Sequence, residues 1–239
     1  MEKWLFFIPV LKNSDVLKEC VNQIMYKRNV DIIILLNGAD DDVKELVYGT
    51  YSQYPQFMIW ENKENVYVTS AWNQAIKFFK DHHEWDRLFI LNSDLTLQVD
   101  FDKVCREVWE YNPDYVLTPK VLNDKTKMYD HIPIIPGIMT KVDNPAGIFI
   151  TLNHKQAEIV YPIYEEVRVW FNDFIIYSLL KAAGYEIYTP STLLAFHHDS
   201  THVKSLNGIL DIIEEDKVNF KTIVEPLLQE RIKQLKTNN

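Results

Sequence analysis

Four short, predominantly apolar runs separated by segments of helical periodicity constrain the fold of this chain more than any other feature. They cover residues 4–10, 30–36, 57–60 and 87–91. Each is apolar at successive rather than alternate positions, the pattern of a strand buried on both faces. Ser14 and Asp15 are helix-start residues for a periodic segment over 14–28, and Asp40, Asp41 and Asp42 form an acidic first turn for the next helix. Residues 65–79 alternate at helical spacing before the fourth run. This βαβαβαβ rhythm predicts an α/β fold, a mostly parallel sheet with helices on both faces. Ligands of such sheets bind beyond the carboxyl ends of the strands. Here those ends are Val10, Asn37, Glu61 and the tripeptide Asn92-Ser93-Asp94.

The second half is less regular. Residues 113–145 hold five of the ten prolines and read as loop around one strand at 115–117. Residues 145–152 resemble another strand. A helix over 174–183 ends at Gly184, a left-handed C-cap residue, and a last strand spans 185–188. From about Val203 the pattern is helical and charged. The expected organisation is one domain over 1–202, with halves of about 1–98 and 99–202, and a helical extension over 203–239.

Composition removes several classes. With 47% hydrophobic and 13% aromatic residues in 239, the chain buries enough surface to fold. A formal net charge of −9 disfavours a protein held on nucleic acid by counterion release. Cys20 and Cys105 form no CxxC pair, so neither a disulfide framework nor a thiolate zinc site is available. No apolar stretch approaches the ~20 residues of a membrane helix. Lys3 precedes a short apolar run, but Lys12, Asn13, Ser14 and Asp15 follow without a cleavage site, which argues against a signal peptide. The expected compartment is the cytoplasm.

Three places carry candidate chemistry, each with a plainer explanation beside it. Asp94 at a strand end can hold a divalent cation, or can simply form a turn with Asn92 and Ser93. Asp173 can act as a general base or cap the helix that follows it. His197 and His198 are adjacent, so on a strand they point to opposite faces and one of them can face the cleft, or each can be an ordinary hydrogen-bonded or exposed side chain. Trp72 and Trp170 can line a sugar or base site, or be buried as core. No GxGxxG, P-loop, GxSxG or HExxH pattern occurs.

The order of these signals resembles the GT-A glycosyltransferases of family 2, over most of the chain from the first strand to about His202. Phe7-Ile8-Pro9-Val10 looks like that family's opening strand, and Leu35-Leu36-Asn37-Gly38-Ala39-Asp40 like its "DNGSxD" turn. Asn65 through Asn73 resembles the "NxGxxxxxN" segment, and Leu91-Asn92-Ser93-Asp94 the "LNPD" form of the DxD motif. Asp173 with Ala183-Gly184-Tyr185 is similar to the "ED…aGY" helix, and Phe196-His197-His198 with Ser200-Thr201 to the closing "HHxxS/T" element. Tyr67 stands where the family has glycine, Trp72 where arginine is frequent, and Asn172 where glutamate precedes the base.

The resemblance implies an inverting, metal-assisted transferase with a nucleotide-sugar donor, expected to be UDP-linked. Pro9, Val10, Asn37, Asn65, Asn73, Asn92 and Ser93 would bind the donor. Asp94 would hold Mn2+ or Mg2+ with His198, or His197 in its place, and Asp173 would be the base. The acceptor would be a bacterial glycan or lipid-linked sugar, with a hydroxylated DNA base of the virus-encoded kind as the minority option, in the host cytoplasm. That option needs Lys120, Lys125, Lys127 and Lys141 to form a basic strip. A non-catalytic nucleotide-sugar binder is the alternative. A nucleotidyltransferase ranks lower, since only Lys12 follows the first strand where a basic, Gly-rich phosphate loop is expected.

Overall fold

The computed structural model describes residues 2–122, 125, 138–143, 145–198 and 208–237. Its central sheet has the order β3-β2-β1-β4-β9, formed by β1 (Trp4–Val10), β2 (Val30–Asn37), β3 (Phe57–Asn62), β4 (Arg87–Leu91) and β9 (Phe149–Leu152). The first four strands are parallel and β9 is antiparallel to β4. This is the mostly parallel α/β sheet expected from the apolar runs.

The runs are continuous because both faces are covered. Trp4, Phe6, Ile8 and Val10 point into one core with α1 (Ser14–Ile24), α2 (Asp41–Leu46) and α4 (Phe101–Tyr111). Leu5, Phe7, Ile33 and Leu35 point into the other, with α3 (Tyr67–Asp81), α5 (His154–Val160) and α6 (Asn172–Ala182). Alternate residues of one strand thus serve different cores. Aromatic rings fill the first: Phe6 stacks on Phe89 at 4.4 Å between centroids.

Two small sheets complete the domain. One has the order β6-β10-β8, from β6 (Val116–Leu117), β8 (Met139–Lys141) and β10 (Ile187–Pro190); the other has the order β5-β11-β7, from β5 (Leu95–Leu97), β7 (Lys120–Leu122) and β11 (Leu194–His197). The expected strand at 185–188 begins two residues later, because Gly184 (φ +88°) and Tyr185 close the end of α6. Helices α4 and α5 and strands β5, β7, β8 and β11 are additions to the sequence reading, and β11 follows the strand expected to be the last. Phe101, Val104, Cys105, Val108 and Trp109 carry the spacing that would have identified α4.

The C-terminal segment forms α7 (Ile209–Asn219), a π-helical turn over Phe220–Val224, and α8 (Glu225–Thr237). Val224 and Leu228 are buried in the core of α5 and α6. Arg231 donates to the carbonyls of Ile159, Tyr161 and Pro162. The extension is packed into the domain rather than hung from it. Among the described residues, no helix is long and apolar enough to cross a membrane.

Candidate active site

A cleft opens at the carboxyl ends of β1, β2 and β4, where a parallel sheet offers its binding site. Pro9 and Val10 come from β1, Asn37 from β2, and Asn92, Ser93 and Asp94 follow β4. Tyr67 and Trp72 of α3, Val169 and His197 form the other walls. Glu61, the fourth expected strand end, lies outside this wall and pairs with Lys44 at 2.8 Å.

The sheet end is shaped by Asn37 and Gly38. The Asn37 side chain accepts from Asn62 Nδ2 (3.0 Å) and Val66 N (3.1 Å). It donates to Asn65 Oδ1 (3.0 Å) and Tyr67 O (3.4 Å). Asn65 Oδ1 in turn accepts from Tyr67 N at 2.8 Å, an Asx turn that starts α3. Gly38 (φ +68°) admits this turn, since a Cβ there would sit 2.5 Å from Asn65 N. Asn37 and Asn65 therefore stand on the cleft with the Asn37 amide and the Asn65 Oδ1 committed to the turn that builds it. Tyr67, at the position where the resembled motif has glycine, adopts the left-handed φ that glycine would supply (+61°).

Asn73 is placed elsewhere. It is buried, donates to Ile163 O and Glu165 Oε1 (both 2.9 Å) and accepts from Ile163 N (2.8 Å). It fastens α3 to the segment before α6 and is absent from the cleft wall. Its separation from Asn65 matched the motif, but the amide is spent on the Ile163 backbone and the Glu165 carboxylate. Trp72 does reach the wall, and its buried indole N–H has no partner among the described residues.

The acidic wall is built by an antiparallel pairing. β5 begins directly after Asp94, and β11 runs against it with His197 opposite Leu95. Two residues 103 positions apart thereby meet: His197 Nε2 lies 3.1 Å from Asp94 Oδ1, and the Asp94 side chain is only 4% exposed. His198, one residue on, is engaged elsewhere. Its Nε2 shares a 2.8 Å hydrogen bond with Thr96 Oγ1, whose own proton goes to Glu19 Oε1 at 2.7 Å. Thr96 has one proton to give, so His198 Nε2 is the donor. Burial holds the His198 pKa below its usual value. Of the two histidines expected to meet Asp94, the fold brings in His197.

A carboxylate oxygen and an imidazole nitrogen about 3 Å apart suit adjacent corners of an octahedral cation with bonds of ~2.1 Å. The observed 3.1 Å fits that spacing. Among the described residues no cluster of three or more His, Cys, Asp or Glu occurs, and Asp94 with His197 is the pair that stands on the cleft.

Asp173 stands at the second position of α6, behind Phe171, which occupies the N-cap with φ +68°. It is therefore not the N-cap residue. Its Oδ2 accepts from Gly147 N (3.0 Å) and its Oδ1 from Phe174 N (2.8 Å). A Cβ at Gly147 would lie 2.5 Å from Asp173 Cβ and 3.0 Å from Trp72, so this glycine permits the close approach. Through Gly147, Asp173 neighbours the cleft wall at Trp72. Trp170 is half exposed nearby.

Of the proposed basic strip, Lys125 pairs with Glu19 and Lys141 with Glu186, while Lys127 lies outside the described residues. Ser200, Thr201 and His202 also lie outside them.

The family model for glycosyl transferase family 2 matches residues 6–157. No curated protein matches the sequence. Among solved structures, GalNAc-T7 with UDP, GalNAc and Mn2+ superposes with a TM-score of 0.67 at 8% identity, covering 82% of this chain and 44% of that one. The mannosyltransferase PcManGT from Pyrobaculum calidifontis, with GDP-Man and Mn2+, gives 0.62 at 11% identity over 98% of this chain and 74% of that one. S. aureus TarS 1-349 with UDP-GlcNAc gives 0.63 at 13% identity, over 98% and 71%. The chain thus spans less than half the length of GalNAc-T7. These likenesses establish the GT-A fold.

Proposed function

The chain belongs to glycosyl transferase family 2, and from that premise we propose that it moves a sugar from a nucleotide-sugar donor to an acceptor hydroxyl with inversion. One observation carries the reading. A buried carboxylate, Asp94, paired with the partly exposed imidazole of His197 stands on the cleft at the mouth of the sheet, while a separate carboxylate, Asp173, opens α6 beside it. Neutralising a leaving diphosphate and deprotonating an attacking hydroxyl are different tasks, and two separated groups can perform them.

Pro9, Val10 and Ser93 would contact the donor. Asn37 and Asn65 hold the turn against which it lies, and Asn92 stands where β4 meets the cleft. Asn73 acts at one remove by holding residues 163–165. The indole N–H of Trp72, without a partner among the described residues, would donate to a ligand hydroxyl or phosphate. Asp94 and His197 would hold a divalent cation, Mn2+ or Mg2+, which when bound stabilises the charge on the diphosphate. Asp173 takes the proton as the acceptor oxygen forms its bond to the anomeric carbon from the face opposite the diphosphate. The bond to the diphosphate breaks as the new one forms, so the configuration inverts without a second catalytic carboxylate. The Gly147 and Phe174 N–H groups hold the base in place.

UDP sugars are the expected donors, given UDP and UDP-GlcNAc in two of the fold relatives, with GDP-mannose in the third. A surface glycan or lipid-linked sugar is the expected acceptor. The two free, buried cysteines suit a reducing compartment, and we assign the protein to the cytoplasm.

The test is a thermal-shift screen of UDP-GlcNAc, UDP-GalNAc, UDP-glucose and GDP-mannose with and without MnCl2. At a hundred times Kd, a ligand of the folded state adds about 2.7 kcal/mol. In a protein of this size that raises the midpoint by roughly 5–10 °C. Slow metal-dependent hydrolysis of the same donor separates a transferase from a mere binder. Failure of every nucleotide sugar to raise the midpoint would overturn the reading.

A further inference from the structure

The C-terminal extension sends one carboxylate into the domain. Asp216 of α7 is fully buried, and it accepts three backbone hydrogen bonds from a single loop. Arg168 N reaches Oδ1 at 3.0 Å; Val169 N and Trp170 N reach Oδ2 at 2.7 and 2.9 Å. Such charge-assisted bonds in a dry setting are the strong ones. The Arg168 Nε lies 3.8 Å from the same carboxylate.

That loop reaches both sides of the cleft. The Arg168 carbonyl accepts from Val68 N and Thr69 N, at 3.0 Å each, and so caps the start of α3 beside Tyr67. The Arg168 guanidinium lies over the Tyr67 ring, 5.3 Å from its centroid. Val169 is on the cleft wall, and its carbonyl accepts from Asn172 Nδ2 at 3.3 Å. Asn172 Oδ1 accepts from Asp173 N at 2.9 Å. The loop thus links Asp216 to the donor-side start of α3 and to the carboxylate at the start of α6.

We propose that Asp216 is a positioning residue of the transfer reaction, through which the C-terminal extension sets the register of Asp173 and of the α3 start at once. The proposal rests on the glycosyl-transfer reading for its effect on rate, but not for the pinning itself. An asparagine at 216 presents an NH2 where an acceptor is needed, so at least one of the three backbone donors loses its partner. The loop then shifts, and a displacement of ~1 Å at a reacting group costs about a hundredfold in rate.

The test uses the full chain with Asp216→Asn, and Glu214→Gln on the exposed side of the same helix as control. Hydrogen exchange is read at the amides of 168–170 and at Gly147, whose N–H reports the position of Asp173. Expected in Asp216→Asn is exchange about tenfold faster at both places, with β1 and β2 unchanged and Glu214→Gln like the wild type. With whichever donor of the screen the wild type turns over, kcat should fall by about a hundredfold while donor KM moves much less. If Asp216→Asn does not fold, Asp216→Glu keeps the charge one methylene further on and should shift both readouts the same way by a smaller factor. Unchanged Gly147 exchange in a folded variant overturns the proposal, and so does a faster Gly147 with unaltered kcat. A wild type that turns over no nucleotide sugar overturns the glycosyl-transfer reading instead, and the Gly147 amide still decides the pin.

Discussion

The first and second halves of this molecule are held together by different means. In the first, β1 pairs with β2 over seven consecutive residues and β2 with β3 over six, and apolar side chains fill both faces. In the second, strands are two to four residues long, and buried polar side chains bind distant backbone. Thr151 bonds to both the N–H and the carbonyl of Leu117 and Asp216 to three amides of one loop, while Asn73, from the first half, holds both of Ile163 in the second. Hydrophobic burial is non-directional and makes a robust platform. Directional polar bonds position a loop within tenths of an ångström, as chemistry requires.

The sharpest way to break that contrast is to remove one group from each half. Asp173→Asn should lower turnover at saturating donor and acceptor by a hundredfold or more, the usual worth of a positioned base. Donor affinity should stay close to wild type, since the amide keeps the shape of the side chain. Near-normal turnover in steady-state assays would end the base assignment.

Asp94→Asn should act on donor binding. Nucleotide affinity measured by calorimetry in MnCl2 should fall by roughly ten- to a hundredfold, because the pair with His197 loses its anionic member. In excess chelator, wild type and variant should bind alike. Equal affinities in MnCl2 would remove Asp94 from the cation role.

Asn73→Ala sharpens the comparison by cutting one polar pin. It strips hydrogen bonds from the buried N–H and C=O of Ile163, at about 1–3 kcal/mol. The melting midpoint should drop by a few degrees. Because Asn73 is off the cleft wall, donor affinity at a temperature where the variant is folded should hardly change. A large loss of affinity with no loss of stability would return Asn73 to the donor site.

The smallest effect is expected from the packed platform itself. Burial pushes the Cys20 thiol up to about 12 and raises Cys105 as well. A raised thiol pKa means that the reactive thiolate is absent near neutral pH, so at pH 8 the native protein should take up almost no iodoacetamide. In denaturant both cysteines should alkylate, and mass spectrometry counts the adducts. Rapid labelling of the native chain would show that the sheet core opens readily.

Much of this was legible in the residues, because burial on both faces of a parallel strand leaves a continuous apolar run. Residues 4–10, 30–36, 57–60 and 87–91 are such runs, and each became a strand of the central sheet. The strand ends Val10, Asn37 and Asn92-Ser93-Asp94 came together for the same reason, since parallel strands present their carboxyl ends on one edge. The short strands of the second half were harder to see. Lys120–Leu122 and Met139–Lys141 are partly exposed and become strands by pairing with distant partners, β11 and β10.

The chain by itself determined the sheet, its edge and the chemical types gathered there, because those follow from local periodicity and from the turn residues that end each run. Only the tertiary structure decided which polar groups face the cleft and which are used to build it. Asn73 and Asn65 are alike in a sequence, yet one fastens Ile163 and the other starts α3 on the cleft wall. His197 and His198 are neighbours, and the antiparallel register of β11 on β5 alone sends the first to Asp94 and the second to Thr96. Asp216 has the look of any acidic residue on a solvated helix until α7 packs and three amides converge on it. The physical reason is that a polar side chain is compatible with water or with a buried partner, and the choice depends on groups that lie about 50 to 100 positions away.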